Sequence, residues 1–214
     1  MTQTTLERPS TPTIFVLFGI TGDLSRRKLL PALLSLYVRR KLPTHFAIVG
    51  FSRRTFTREE FRDFVRSSMN VKVGQYKEEE IKHFLDHIKY VQGMFDARDG
   101  YERLATTLKE IDDSWGVCAN KLFHLSVPPS YYDSILDHVS ASGLAIPCAG
   151  PQGGWTRILV EKPFGDVPKY SFRGRPESRE MVAVAEHDAT QLCDGHLMRS
   201  AVQIGDGDEV ALGL

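Results

Sequence analysis

The sequence predicts an α/β fold, a Rossmann-like, doubly wound, mostly parallel sheet flanked by helices, and three observations predict it. Short apolar runs alternate five times with stretches of helical period. The first run, Ile14 to Phe18, is unbroken, as befits a strand buried on both faces. A glycine pair, Gly19 and Gly22, separates that run from a long helical pattern carrying Leu24, Leu29, Leu30, Leu33, Leu34 and Tyr37. Strand, glycine turn and helix together set free backbone N–H groups and a positive helix end against a phosphate.

The remaining elements follow in order. Lys41-Leu42-Pro43 closes the first helix, because proline disfavours helix at the residue before it. A second strand, His45 to Gly50, completes a βαβ unit. Thr57-Arg58-Glu59-Glu60 has the form of a capping box and starts a helix that turns Phe61, Phe64 and Val65 inward. After Gly74 a helix is predicted over 77–88, then a strand over 89–92 ending in Gly93, and a helix over 99–111. A fourth strand spans Lys121 to Val127 and stops at Pro128-Pro129. A helix over 130–139 uses Tyr131, Ile135 and Leu136 as core contacts, and a glycine-rich turn leads into a fifth strand, Arg157 to Val160.

Residues 1–12 are polar with two prolines and read as a flexible arm, with no signal-peptide core. No run reaches membrane-spanning length. The 27 basic and 27 acidic residues cancel, so the overall charge offers nothing for nucleic acid or an anionic membrane. Three cysteines, Cys118, Cys148 and Cys193, are too few and scattered for a disulfide framework or a zinc ribbon, which points to a reducing compartment, with cytoplasm as the default. His83 and His87 stand four apart, but no third ligand accompanies them and no metal is assigned.

The second strand is followed by Phe51-Ser52-Arg53-Arg54, with no acid to bind a ribose 2′-hydroxyl. Two guanidinium groups and a hydroxyl suit a dianion, although two arginines alone describe a solvated basic loop equally well. Following the glycine turn of the preceding strand, they favour NADP. Ligands of such sheets lie beyond the carboxyl ends of the strands, which draws together Gly19 to Arg26, Ser52 to Arg54, Pro128 to Tyr132, and Glu161 to Phe164. A P-loop is excluded, because Asp23 follows Gly22 where G-x-x-x-x-G-K-[ST] needs lysine.

These segments carry a family resemblance. FVLFGITGDLSRRKLLPAL resembles the coenzyme fingerprint of glucose-6-phosphate dehydrogenases, G-A-S-G-D-L-A followed by basic residues and L-x-P-A-L. IVGFSRR, YVQGMFD, NKLFHLSVPPSYY and RILVEKPFG follow in the family's order, so the resemblance covers residues 13–165 as an NADP-binding domain. It implies that Gly19, Ile20, Thr21, Gly22, Asp23, Leu24, Ser25 and Arg26 wrap the NADP pyrophosphate. It further implies that Arg53 meets the 2′-phosphate, that Tyr132 contacts the coenzyme, and that Lys162, beside Pro163, touches both nicotinamide and sugar substrate. Ile20, Thr21, Ser52 and His124 depart mildly from the pattern.

The implied reaction converts glucose 6-phosphate and NADP to the 6-phosphoglucono-lactone and NADPH, the entry to the pentose phosphate pathway. Residues 166–214 lack the family's R-I-D-H-Y-L-G-K, and no large α+β domain with its catalytic histidine follows. They contain a short helical candidate, 177–187, and the pairs His187/Asp188 and Cys193/His196, neither of which makes a site. The expectation is therefore a truncated or frameshifted chain with a divergent tail and impaired or no turnover. The alternative is a non-catalytic NADP-binding module; oligomeric state is not predicted.

Overall fold

The computed structural model describes residues 11–69, 75–146, 148 and 154–160. Five parallel strands, β1 (Thr13–Phe18), β2 (Phe46–Ser52), β3 (Ile88–Gln92), β4 (Asn120–Leu125) and β5 (Thr156–Val160), form one sheet in the order β3-β2-β1-β4-β5. The order reverses between β1 and β4, and in such sheets the ligand crevice opens at that reversal.

Alternating side chains of the strands feed two cores. Ile14, Val16 and Phe18 of β1, with Ala47, Val49 and Phe51 of β2, pack towards α4 (Arg98–Trp115) and α5 (Tyr132–Ala141). Phe15 and Leu17, with Phe46 and Ile48, pack on the other face against α1 (Leu30–Val38), α2 (Arg58–Ser68) and α3 (Glu78–Asp86). The period of two along a strand places one core on each face. Because both cores are apolar, every residue of β1 and β2 is buried, and the unbroken apolar run is explained.

Local rules hold where sequence expectations used them. Thr57 caps α2 with both halves of the capping box, Glu60 N–H to Thr57 Oγ1 at 3.2 Å and Thr57 N–H to Glu60 Oε2 at 2.7 Å. The helix expected over 99–111 instead runs on as α4 to Trp115, where Gly116, at φ +67°, ends it in the left-handed conformation. Boundaries differ in instructive places. The helix expected to reach residue 88 ends at Asp86, because the His87 carbonyl already accepts from Ile48 N–H in the sheet. β2 runs past Gly50 to Ser52, where β3 offers Val91 and Gln92 as partners. Pro12 of the expected arm is engaged, its carbonyl accepting from Asn120 N–H at 2.9 Å.

Tyr131 corrects another expectation. It is 37% exposed rather than a core contact, because Pro129–Tyr131 forms a 3₁₀ turn that rotates the chain before α5 begins; Tyr132 fills the core instead, at 3%. Cys118 and Cys148 supply another, since they form a disulfide with Cα atoms 5.8 Å apart. Their separation of 30 residues in sequence carried no sign of this, because the sheet brings the start of β4 beside the start of β5. None of the helices among the described residues is long and apolar enough to cross a membrane. The residues 166–214, with their helical candidate, lie outside the described residues.

Candidate functional site

The turn after β1 is built by steric necessity. Gly19 has φ +78°, and a Cβ there would lie 2.5 Å from Ser126 O and 2.7 Å from Val127 Cγ1. Any side chain would therefore both strain the backbone and collide with the end of β4. The turn is tied by Gly19 N–H to Phe51 O at 2.8 Å, Gly22 N–H to Gly19 O at 2.8 Å and Arg26 N–H to Gly22 O at 3.1 Å. Ser25, fully buried, donates from Oγ to Gly19 O at 3.1 Å. Ile20 and Thr21 are not donors in that set.

The helix that follows opens with a wide, π-helical turn, Ser25–Leu29, before α1 continues regularly from Leu30, with Pro31 in its first turn. Such insertions recur at functional sites in helices. The turn carries Arg26, Arg27 and Lys28. Arg26 donates from Nε to Ser68 Oγ at 3.2 Å and lies over the Phe64 ring, so α2 fixes its direction. Asp23 approaches Arg26 and Arg27 at 4.0 and 3.8 Å, an exposed and weak pairing. Ile20 points the other way: it is fully buried against Gly50, where a Cβ would meet Ile20 Cδ1 at 2.4 Å. Its side chain positions the turn rather than facing a ligand.

At the adjacent end of β2, Ser52 is buried while Arg53 and Arg54 are exposed. Neither guanidinium has an ion-pair partner among the described residues. The loop backbone is nevertheless held from β3. Tyr90 Oη lies 2.8 Å from Ser52 Oγ and 3.0 Å from Ser52 O, with a short contact to Arg54 O, while Gln92 Nε2 donates to Arg53 O at 3.3 Å. A phenol has one proton, so Tyr90 donates to one carbonyl at a time and can accept from the Ser52 hydroxyl. Burial raises the Tyr90 pKa, with smaller lowering effects from Ser52 and Arg54, and the group stays a donor at neutral pH. The motif YVQGMFD contains this tyrosine, but nothing in its spacing indicated that its hydroxyl would return to the loop of the neighbouring strand.

The third segment is less open than its sequence implied. Tyr132 sits in the core between the sheet and α5, whereas Tyr131 stands at the surface with its ring 5.3 Å from that of Phe95. His124 is buried on β4, its Nδ1 2.7 Å from Ser126 Oγ at the strand's end. Beyond Val160, Lys162 and the rest of EKPFG lie outside the described residues.

The parallel sheet thus brings Gly19–Arg26, Ser52–Arg54 and Pro128–Tyr132 to one edge. Of the histidine pair at His83 and His87, His87 stacks on Phe46 with ring centroids 4.2 Å apart, and burial lowers its pKa, which favours the neutral ring.

Comparison with known proteins agrees with this architecture. A family model described as the NAD binding domain of glucose-6-phosphate dehydrogenase matches residues 16–172, reaching past Gly165. The glucose-6-phosphate 1-dehydrogenase of Chlamydia muridarum is 37% identical over 156 residues, covering 72% of this chain and 31% of the relative. Glucose-6-phosphate 1-dehydrogenase 2 of Mycobacterium tuberculosis is 32% identical over 201 residues, covering 92% of this chain and 38% of the relative. Among solved structures, a glucose-6-phosphate dehydrogenase in complex with its substrate glucose-6-phosphate matches 73% of this chain and 31% of its own, with 29% identity and a TM-score of 0.64. The chain spans about a third of the length of these relatives.

Proposed function

The chain belongs to the glucose-6-phosphate dehydrogenase family, and on that premise we propose that its described part is an NADP-selective coenzyme-binding domain serving oxidation of glucose 6-phosphate. The observation that carries the selectivity is the Ser52–Arg54 loop: two exposed guanidinium groups without ion-pair partners among the described residues, on a backbone fixed by Tyr90 and Gln92. A dianionic 2′-phosphate fits such a loop better than a neutral hydroxyl does.

The donor set fits the coenzyme. The Gly19 turn leaves room beside Ser126 O that any Cβ would fill, and the residues from Gly19 to Arg26 would hold the pyrophosphate there. Arg53 would meet the 2′-phosphate. Tyr132 supports the crevice from within the core, and Lys162 would serve the nicotinamide and sugar end. When bound, NADP supplies the acceptor for the hydride leaving the sugar C1. The chain's own contribution in the described residues is binding and orientation.

Calorimetric titration of the purified chain with NADP and NAD tests this directly. We expect tighter binding of NADP, and a preference for NAD would overturn the reading of Arg53. Absorbance at 340 nm with glucose 6-phosphate and NADP tests turnover separately. Heat protection by NADP without turnover would identify a coenzyme-binding module alone.

A further inference from the structure

At the opposite edge of the sheet, where β4 and β5 begin, lies a cluster that the coenzyme site does not use. Cys118 follows the C-terminus of α4, and Cys148 precedes β5; the two are joined by a disulfide, and both are partly exposed. Lys121, the one lysine of β4 and buried, places its ammonium 3.2 Å from Cys148 Sγ, 2.7 Å from Asp112 Oδ2 and 3.2 Å from Ala119 O. Asp112 is held in turn, its Oδ1 accepting from Ala119 N–H at 3.0 Å. Asp112, Cys118 and Cys148 are also the one grouping of three potential metal ligands among the described residues. An ammonium against two of the three opposes a metal cation there. It favours negative charge on sulfur instead.

We propose that Cys118 and Cys148 form a reversible thiol–disulfide site for small thiols of the glutathione class, with Lys121 stabilising Cys148 as the departing and attacking thiolate. In the reducing direction an external thiolate attacks Cys118 Sγ, the S–S bond breaks, and the electron pair goes to Cys148 Sγ beside the ammonium. A second external thiolate then attacks the external sulfur of the mixed disulfide and releases Cys118. Two external thiols have become one disulfide; their two electrons and two protons reside on the two cysteines. Oxidation by the external disulfide runs the same steps backwards: the Cys118 thiolate attacks it and releases one external thiolate, and the Cys148 thiolate then attacks Cys118 Sγ and expels the other. The asymmetry has a geometric origin: among the described residues the ammonium contacts Cys148 Sγ and not Cys118 Sγ.

The site joins two structural elements. A Cβ on Gly154 would lie 2.5 Å from the Ala119 backbone, and Trp155 N–H donates to Asn120 Oδ1 at 3.0 Å, so the entry to β5 is already pressed against the entry to β4. The disulfide adds a covalent link between α4 and the segment preceding this edge strand.

The test is to equilibrate the full chain across ratios of reduced to oxidised glutathione, quench with acid, label free thiols with a maleimide, and map them by mass. Cys118 and Cys148 should change together in one two-electron transition, independently of Cys193. Free labelling of both at every ratio, or pairing of either with Cys193, overturns the proposal. Lys121→Met should slow reduction by glutathione about tenfold, and Lys121→Arg should stay within about twofold of the parent; an unchanged Lys121→Met rate would sink the role of the ammonium. Should Lys121→Met not fold, single-cysteine reactivity decides: Cys148 in Cys118→Ser should alkylate at least about fivefold faster at neutral pH than Cys118 in Cys148→Ser. Equal or reversed rates overturn the assignment.

Discussion

The two segments at the crevice edge that are proposed to meet the coenzyme phosphates are built on different principles. The Gly19–Arg26 turn is fixed by its own backbone: a positive φ, a steric seal against Ser126, and hydrogen bonds that close within the turn or onto β2. The Ser52–Arg54 loop carries its chemistry on exposed side chains, and its backbone is held from a neighbouring strand by a phenol and an amide. A backbone cradle recognises any pyrophosphate and tolerates no side chain at its tight point. A side-chain loop discriminates between coenzymes and is easily retuned. On the proposed function, affinity and selectivity are therefore separable in this domain.

Gly19→Ala tests the first half most severely. The variant should lose on the order of 2–4 kcal/mol of stability, or fold with binding of both NADP and NAD abolished, as read by thermal melting and titration. Normal binding of both coenzymes would show that the turn can relax. Next in size, Arg53→Ala should weaken NADP by about 10–100-fold through loss of a charge-assisted contact, with NAD affinity unchanged. Equal losses for the two coenzymes would erase the division between the segments. Tyr90→Phe should have a smaller effect of the same sign, about three- to tenfold on the NADP-to-NAD ratio, because the loop loosens but keeps its charges. An unchanged ratio would mean that Gln92 and the strand register suffice.

The smallest expected effect lies away from the crevice and serves as a control on it. Burial depresses the His87 pKa below its ordinary 6.5, so the folded state disfavours the proton. Its contribution is present above about pH 6.5 and is lost as pH falls towards and through the lowered folded value. Melting temperature should decline on acidification from that point, and His87→Gln should flatten this part of the decline without altering coenzyme selectivity.

Much of the fold was legible because parallel strands buried on both faces announce themselves as unbroken apolar runs, as β1 does, and because capping boxes are local. The Gly19 turn was legible for a similar reason: its demand for glycine arises from adjacent residues. What escaped depends on contacts across strands. Tyr90 reaches a loop 38 positions earlier, Arg26 is aimed by Ser68 42 positions later, and Cys118 meets Cys148 only after the sheet has formed. That Tyr132 rather than Tyr131 fills the core turned on a single 3₁₀ turn, which shifts the phase of a helix without leaving a compositional trace.

The strand order has a consequence for how the chain acquires its structure. β1 is made first yet occupies the middle of the sheet, paired with β2 on one side and β4 on the other. During synthesis the β1–β2 half can assemble once about the first 70 residues have emerged, while the opposite side of β1 waits for residues 120–125. Until then a strand that is apolar from Ile14 to Phe18 presents an open ladder to any neighbouring chain. The interval between β2 and β4 is thus the window in which chaperone engagement would matter most. Amide exchange in the finished domain should be slowest along β1, the strand that both halves enclose.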